Sequence, residues 1–294
     1  MSLSRKTKKR ILKDHIVSYE KRLVAFLDLQ GFKDDIICNY PAEAIGALFG
    51  QFDYLKKSLE KDTESLQITI ISDSIVISVT LDKPENLISF FEACSYFAKS
   101  RIGKSFTAIR GGISYGELHH KDNIVFGPAL VDAYDISEGL HKSDYLRLRM
   151  PADVFNVVSA LPVFGGLSLA VLFPESEKNE YYIFNPWLLH FAIASMEKTL
   201  SKPETVDEII VRLKEYIAWC VMNMAKHRNK SNKIFSKYED LLLHTIYTFK
   251  TIKKIYYSYL TDAAKETVDF YSDEGKAIPF AQQLEQNFKD GDLI

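Results

Sequence analysis

Leu23-Val24-Ala25-Phe26-Leu27-Asp28-Leu29-Gln30-Gly31-Phe32-Lys33 sets the reading of the whole chain. An apolar run meets a single carboxylate, and a glycine follows shortly after. A short apolar run closed by glycine reads as a buried strand. A carboxylate at the end of such a strand is costly in a dry sheet unless a cation lies beside it. Asp28 is therefore read as a metal ligand at the lip of a sheet. Gly31 lets the backbone come close to a ligand, and the N–H groups of a helix start after it attract phosphate.

A second carboxylate answers the first. Across residues 67–79, two β-rich runs flank Ser72-Asp73-Ser74, which reads as a hairpin with Asp73 at its turn. An isolated Ser-Asp-Ser would be only a polar turn. Paired with Asp28, Asp73 suits a site for a Mg²⁺-bound triphosphate, which needs carboxylates at rigid edges.

Apolar residues at three- and four-residue steps predict a helix over 42–61, and a second opens at Pro84 with aromatics along its core face. A strand over 106–115 contains Arg110-Gly111-Gly112. Strand, helix, strand, strand, helix, strand is the split βαβ order of a ferredoxin-like α+β fold. In that fold the ends of the first strand and of the central hairpin are neighbours, so Asp28 and Asp73 would meet. Residues 116–126 read as a hairpin whose polar tip, with His119 and His120, is a solvated loop. A helix from Pro128 to a stop at Gly139 follows, then strands over 146–150, 167–173 and 181–184. Composition shifts near Ser201, after which helices are predicted over 204–228, 236–260 and 262–271, with a solvated basic joint at His227, Arg228, Lys230 and Lys233. The expected organisation is a basic tail over 1–20, a catalytic domain over 21–200 and a helical region over 201–294.

Hydrophobic residues make up 47% of the 294, enough for a full core and incompatible with global disorder. A formal net charge of −2 argues against a nucleic-acid binder, which wants a broad basic surface. Cys38, Cys94 and Cys220 form neither a CxxC nor a disulfide set, so a reducing cytoplasm is the expected location. No apolar run approaches a membrane span. The tail Arg5-Lys6-Thr7-Lys8-Lys9-Arg10 lacks the apolar segment of a signal peptide and reads as solvated.

VAFLDLQGFK, TIISDSIVIS, AIRGGISYGEL and FGPALVDAYDISE, in that order, resemble the catalytic domain of class III nucleotidyl cyclases over residues 22–185. The nearest variant is the pyrimidine nucleotide cyclases of the Pycsar anti-phage system. The resemblance implies conversion of CTP or UTP to 3′,5′-cyclic CMP or cyclic UMP plus pyrophosphate, as second-messenger synthesis in phage defence. It implies two divalent ions per site, Mg²⁺ or Mn²⁺, held at Asp28, Leu29 and Asp73, with phosphate held by the backbone of Gln30, Gly31 and Phe32. It also implies a homodimer with sites between the chains.

Departures from the purine cyclases bear on the substrate. Where those enzymes carry a purine-reading lysine or glutamate, this chain has Thr69, and their second base reader falls at Ile124. A smaller pyrimidine, read by Thr69 and Tyr40, fits better. Their helix asparagine and arginine fall at Val131 and Asp135, so neither is kept. Arg110, Lys142, Arg147 and Arg149 are candidate replacement cations, Arg110 being equally readable as a sheet-face ion pair. The alternative is a catalytically silent cyclase-like domain that binds nucleotide or only dimerises. A palm-type polymerase or diguanylate cyclase fits poorly, because Ser72-Asp73-Ser74 offers one acid and there is no GGDEF-like run.

Overall fold

The computed structural model describes residues 18–32, 41–102, 105–139, 145–162, 171–175, 180–196 and 203–290. Residues 1–17 of the expected basic tail, with Cys38, Tyr40 and Lys142, lie outside the described residues, and Glu20, placed in that tail, instead opens the first strand.

The apolar run is strand β1 (Glu20–Gln30). Helix α1 (Ala42–Asp62), the hairpin of β2 (Gln67–Ile71) and β3 (Ser74–Thr80), and helix α2 (Pro84–Ala98) follow. A short ribbon, β4 (Arg101–Ile102) with β5 (Ser105–Phe106), leads into the long strand β6 (Ala108–Lys121). The order β2-β3-β1-β6 is antiparallel throughout. This is the split βαβ plan, and the fold is α+β. Next come β7 (Ile124–Phe126), which folds back on β6, helix α3 (Pro128–Ser137), β8 (Leu148–Pro151), helix α4 (Ala152–Ser159), β9 (Leu172–Pro174) and β10 (Tyr181–Phe184). β8 pairs with β6 in parallel, and β10 and β9 extend the sheet outward from it.

β1 is central, which is why its sequence is apolar on both faces. Alternation sends Leu23, Ala25, Leu27 and Leu29 into a core with Leu48, Phe52, Phe90, Phe91 and Phe97 from α1 and α2. The opposite face carries Val24, Phe26, Asp28 and Gln30. There α3 covers Val24 with Ala129 and Ala133. The Gly111-Gly112 pair of β6 is required by this packing. A Cβ on Gly111 would lie 2.6 Å from the Phe26 carbonyl, and one on Gly112 would strike the Ala133 carbonyl of α3.

Beyond the sheet lie α5 (Pro186–Met196), α6 (Pro203–His227), α7 (Asn232–Tyr256), a 3₁₀ turn (Tyr257–Tyr259), α8 (Asp262–Ser272) and α9 (Glu274–Asp290). These helices share a second core that also takes in Phe106, Trp187, Leu188 and Phe191. Leu189 and Ala192 face the sheet's core instead, so α5 is the seam between the two. Among the described residues, no helix is long and apolar enough to cross a membrane.

Several local expectations are corrected. The hairpin expected over 116–126 has no five-residue polar tip. β6 runs to Lys121, and the turn is Asp122-Asn123 alone, both left-handed at φ 52° and 64°. Asp and Asn tolerate that conformation, which suits a tight hairpin. His120 is thereby in the strand and only 7% exposed, not in a solvated loop. The third-last helix starts at Asn232, not 236, because the Ser231 hydroxyl caps it by accepting from the Ile234 amide at 3.3 Å. Arg228, assigned to a solvated joint, is bidentate to Glu285 of α9 at 2.5 and 2.6 Å. The strand expected over 167–173 is described only as β9, since 163–170 lie outside the described residues. Helices α4, α5 and α9 were not foreseen. α5 is apolar nearly all round and shows no helical stripe, while α9 carries Pro279 and Gly275, both poor helix formers.

Candidate active site

Asp28 is near the end of β1, between Ser74 of β3 and Arg110 of β6 in the hydrogen-bonded register. The turn joining β2 to β3 is only Ser72-Asp73, with Ser72 left-handed at φ 56°. It folds so tightly that the Asp73 carbonyl accepts from the Leu29 amide at 2.9 Å. Two acids far apart in sequence therefore occupy one rim of the sheet, as the strand order required. The Leu29 side chain is in the core, so only its backbone belongs to the rim.

Burial raises the Asp28 carboxyl above its ordinary pKa, and the Asp73 charge adds to the effect. Arg110, a hydrogen bond from Gln30 and the charge of Lys237 act in the other direction. The Gln30 side-chain amide donates to Asp28 Oδ2. Arg110 Nη2 lies 3.6 Å from the same oxygen and is bound more closely to Glu138, just past α3. At 6% exposure, Arg110 is a buried residue held between two carboxylates.

Gly31 adopts φ +81°, a conformation that favours glycine, and a Cβ there would meet nothing within 4 Å. The space against its backbone is open. Phe32 turns inward, 5% exposed, and packs edge-on to Phe49 at 5.7 Å. Its ring is core, leaving only its backbone for any phosphate.

Thr69 is on the same sheet face as Asp28 by strand alternation, but it is 2% exposed and its hydroxyl bonds His120 Nε2 at 2.9 Å. His120 Nδ1 bonds the Ser78 hydroxyl at 2.8 Å, and Arg22 Nε donates to that hydroxyl at 2.9 Å. Burial and the Arg22 charge lower the His120 pKa to about 3. Thr69 thus belongs to a closed polar network rather than to the open rim. Tyr40, its expected partner in base reading, lies outside the described residues.

Other candidate cations are engaged. Arg147 pairs with Asp240 of α7, Nε to Oδ2 at 3.0 Å, and also approaches Glu175. Arg149 binds Glu175 at 2.7 Å and stacks on Tyr181 at 3.9 Å. The sequence reading missed Lys237. From α7 its ammonium donates to Gln30 Oε1 at 3.4 Å, joining the helical region to the Asp28 cluster. It stands at the start of the helix expected over 236–260, one turn after Lys233, and nothing in that helix's pattern marks it for the rim.

The donor set at the rim is all oxygen, as hard divalent cations require. Among the described residues no three His, Cys, Asp or Glu side chains group as a metal site. Two carboxylates suffice for Mg²⁺ or Mn²⁺ shared with substrate phosphates. The rim therefore fits a cation carried with a triphosphate. A cavity of about 1000 Å³ lies elsewhere, between α1, α2, α5 and α6, with Lys99, His190 and Arg212 in its lining. Neither acid lines it.

No protein-family model and no curated protein matches the chain. Solved structures do. A guanylyl cyclase domain of the RhoGC fusion protein from the aquatic fungus Blastocladiella emersonii is 15% identical, covering 57% of this chain and 95% of that one, with a TM-score of 0.42. The adenylyl cyclase CyaB from P. aeruginosa is 12% identical, covering 58% of this chain and 96% of that one, with a TM-score of 0.39. The guanylyl cyclase Cya2 is 9% identical, covering 57% and 92%, with a TM-score of 0.40. Likenesses this distant bear on neither substrate nor activity, and the architecture above stands on its own strand order.

Proposed function

We propose that the chain is a metal-dependent nucleotidyl cyclase acting on a pyrimidine nucleoside triphosphate, CTP or UTP. The observation that carries this reading is the junction of Asp28 and Asp73 at one rim through the Leu29–Asp73 backbone bond. A pair of carboxylates beside an open glycine backbone suits phosphoryl chemistry, in which positioning and charge stabilisation do most of the catalysis.

Asp28 and Asp73 would hold Mg²⁺ or Mn²⁺, two ions per site, with the Leu29 backbone between them. When bound, such ions neutralise the triphosphate and acidify the attacking 3′-hydroxyl. The backbone of Gln30, Gly31 and Phe32 would lie along the phosphates. Arg110, fixed by Glu138, would hold Asp28 in place rather than touch substrate. The pyrimidine preference comes from the sequence comparison alone: Thr69, which His120 closes off, and Ile124 stand where purine cyclases read the base, and neither offers the charged or amide group a purine edge needs. A homodimer and a role in cytoplasmic anti-phage signalling follow from the sequence resemblance alone.

One feature favours the silent reading: Val131 and Asp135 stand where purine cyclases keep an asparagine and an arginine. Incubating the protein with Mn²⁺ and each radiolabelled triphosphate separates the two. A cyclic pyrimidine nucleotide that disappears in Asp28→Asn supports the enzyme. No product from any triphosphate, with nucleotide still bound, supports the silent domain.

A further inference from the structure

We infer that the cavity between α1, α2, α5 and α6 is a second binding site, suited to a small aromatic anion whose head group sits on Lys99 and Arg212. The inference goes beyond the cyclase reading and does not depend on it, since neither Asp28 nor Asp73 lines this cavity.

The space of about 1000 Å³ is at the upper end of what small-molecule sites occupy. Leu55 of α1, Tyr96 of α2 and Val211 of α6 give it apolar walls. Tyr96 and Val211 are both exposed, and large apolar side chains left around a concavity mark a binding surface.

Lys99 follows directly on α2, and its Nζ is buried, yet among the described residues no hydrogen-bond partner reaches it. The Trp187 ring lies beside it, with the nitrogen 5.7 Å from the ring centre. A buried polar group left in that state is costly, and an acceptor brought by a bound molecule removes the cost.

The local field is positive. Burial and the Arg212 charge lower the Lys99 amine to about 7, and Glu92, acting the other way, has the smaller effect. His190 of α5 responds to the same two cations: burial, Lys99 and Arg212 lower it to about 3. It is therefore a neutral imidazole, edge-on to Tyr96 at 6.2 Å, and still offers one N–H to an anion. The acids of α6 are engaged or turned outward. Glu215 is bound by Arg101, Asp207 accepts from the Thr261 hydroxyl at 2.9 Å, and Glu208 is exposed. An anion held by Lys99 and Arg212 would offset both like charges. It would also tie α1 and α2, which cover the sheet, to α6 of the helical region.

The test measures binding of benzoate, phenyl phosphate and neutral benzamide by calorimetry, in EDTA so that no divalent cation draws anions to the rim. Wild type is expected to bind one or both anions and to ignore benzamide, and the anion it prefers names the head group as carboxylate or phosphate. Lys99→Met should weaken that binding at least about tenfold, the loss of one charge-assisted contact. Arg212→Gln, at an exposed position, should weaken it too. Lys214→Met, exposed on the same helix and outside the lining, should leave it unchanged. Wild-type affinity should fall as pH rises above about 7, where Lys99 sheds its proton, and should stay level in Lys99→Met. No binding of either anion to wild type, benzamide bound as well as the anions, or wild-type affinity in either Lys99→Met or Arg212→Gln would overturn the inference. If Lys99→Met fails to fold, Arg212→Gln decides in its place.

Discussion

The amide of Leu29 donates to the carbonyl of Asp73 at 2.9 Å, tying the end of the central strand to the tip of the neighbouring hairpin. The bond is made by backbone, so side-chain changes at either acid leave the junction intact.

Asp28→Asn and Asp73→Asn are therefore expected to keep the fold and lose the chemistry. Turnover should fall by more than about 10²-fold in each, with far-UV circular dichroism unchanged. Mn²⁺ should raise the wild-type Tm, since a ligand that binds only the folded state stabilises it. Neither variant should show that shift, and an undiminished shift in both would remove the metal from this rim.

Gly31 and Gly111 should respond differently to alanine. At Gly31 the strain is conformational, about 1–2 kcal/mol for a left-handed residue, with open space around the new methyl. Gly111→Ala places a Cβ 2.6 Å from the Phe26 carbonyl and against Leu148 and Leu27 in the sheet. That variant should be far less stable in urea, with a loss of at least about 3 kcal/mol, beyond the usual cost of overpacking. Equal losses at the two positions would contradict the packing described.

Asp240→Asn tests how firmly the helical region is held. It leaves Arg147, with a side chain only 16% exposed, short of a partner. Unfolding free energy should drop by about 1–3 kcal/mol, and turnover should drop with it because Lys237 of the same helix donates to Gln30, which in turn donates to Asp28. A stability loss without any change in kcat would uncouple α7 from the rim.

pH should act through buried bases. His120, His190 and His244 are each lowered to about 3 by burial. Between pH 3 and 6.5 the unfolded chain binds protons that the folded one refuses, so stability falls as the solution is acidified through this window. Lys99, lowered to about 7 by burial and Arg212, works in an alkaline window by the same sign. From pH 7 to about 10 the unfolded state holds the extra proton, and stability rises with pH. Lys99→Met should flatten that alkaline rise in thermal melts and raise the Tm at pH 7. A slope that survives the substitution would assign it to another group.

The sheet and the acid pair were legible because both rest on local signals. An apolar run ending in one acid, a Ser-Asp-Ser turn and the alternation of strands and helices are all present in the chain order. The environment of the site was not. That Glu138 claims Arg110, or that Thr69 is closed off by His120, depends on contacts between strands and helices distant in sequence. Lys237 was hidden for the same reason, since nothing in Ser236-Lys237-Tyr238 says which surface that turn of helix faces. Trp187, Leu188 and Phe191, which precede residue 200, pack with the later helices, a contact that no local pattern announces.

The most direct measurement is the mass of the product. Wild type and Asp73→Asn are incubated with Mn²⁺ and an equal mixture of ATP, GTP, CTP and UTP, and the products are separated by chromatography. Wild type should release cyclic CMP or cyclic UMP with pyrophosphate, and Asp73→Asn should release neither. A wild type that yields no cyclic nucleotide, or a product formed equally well without Asp73, would contradict the assignment of catalysis to the paired acids.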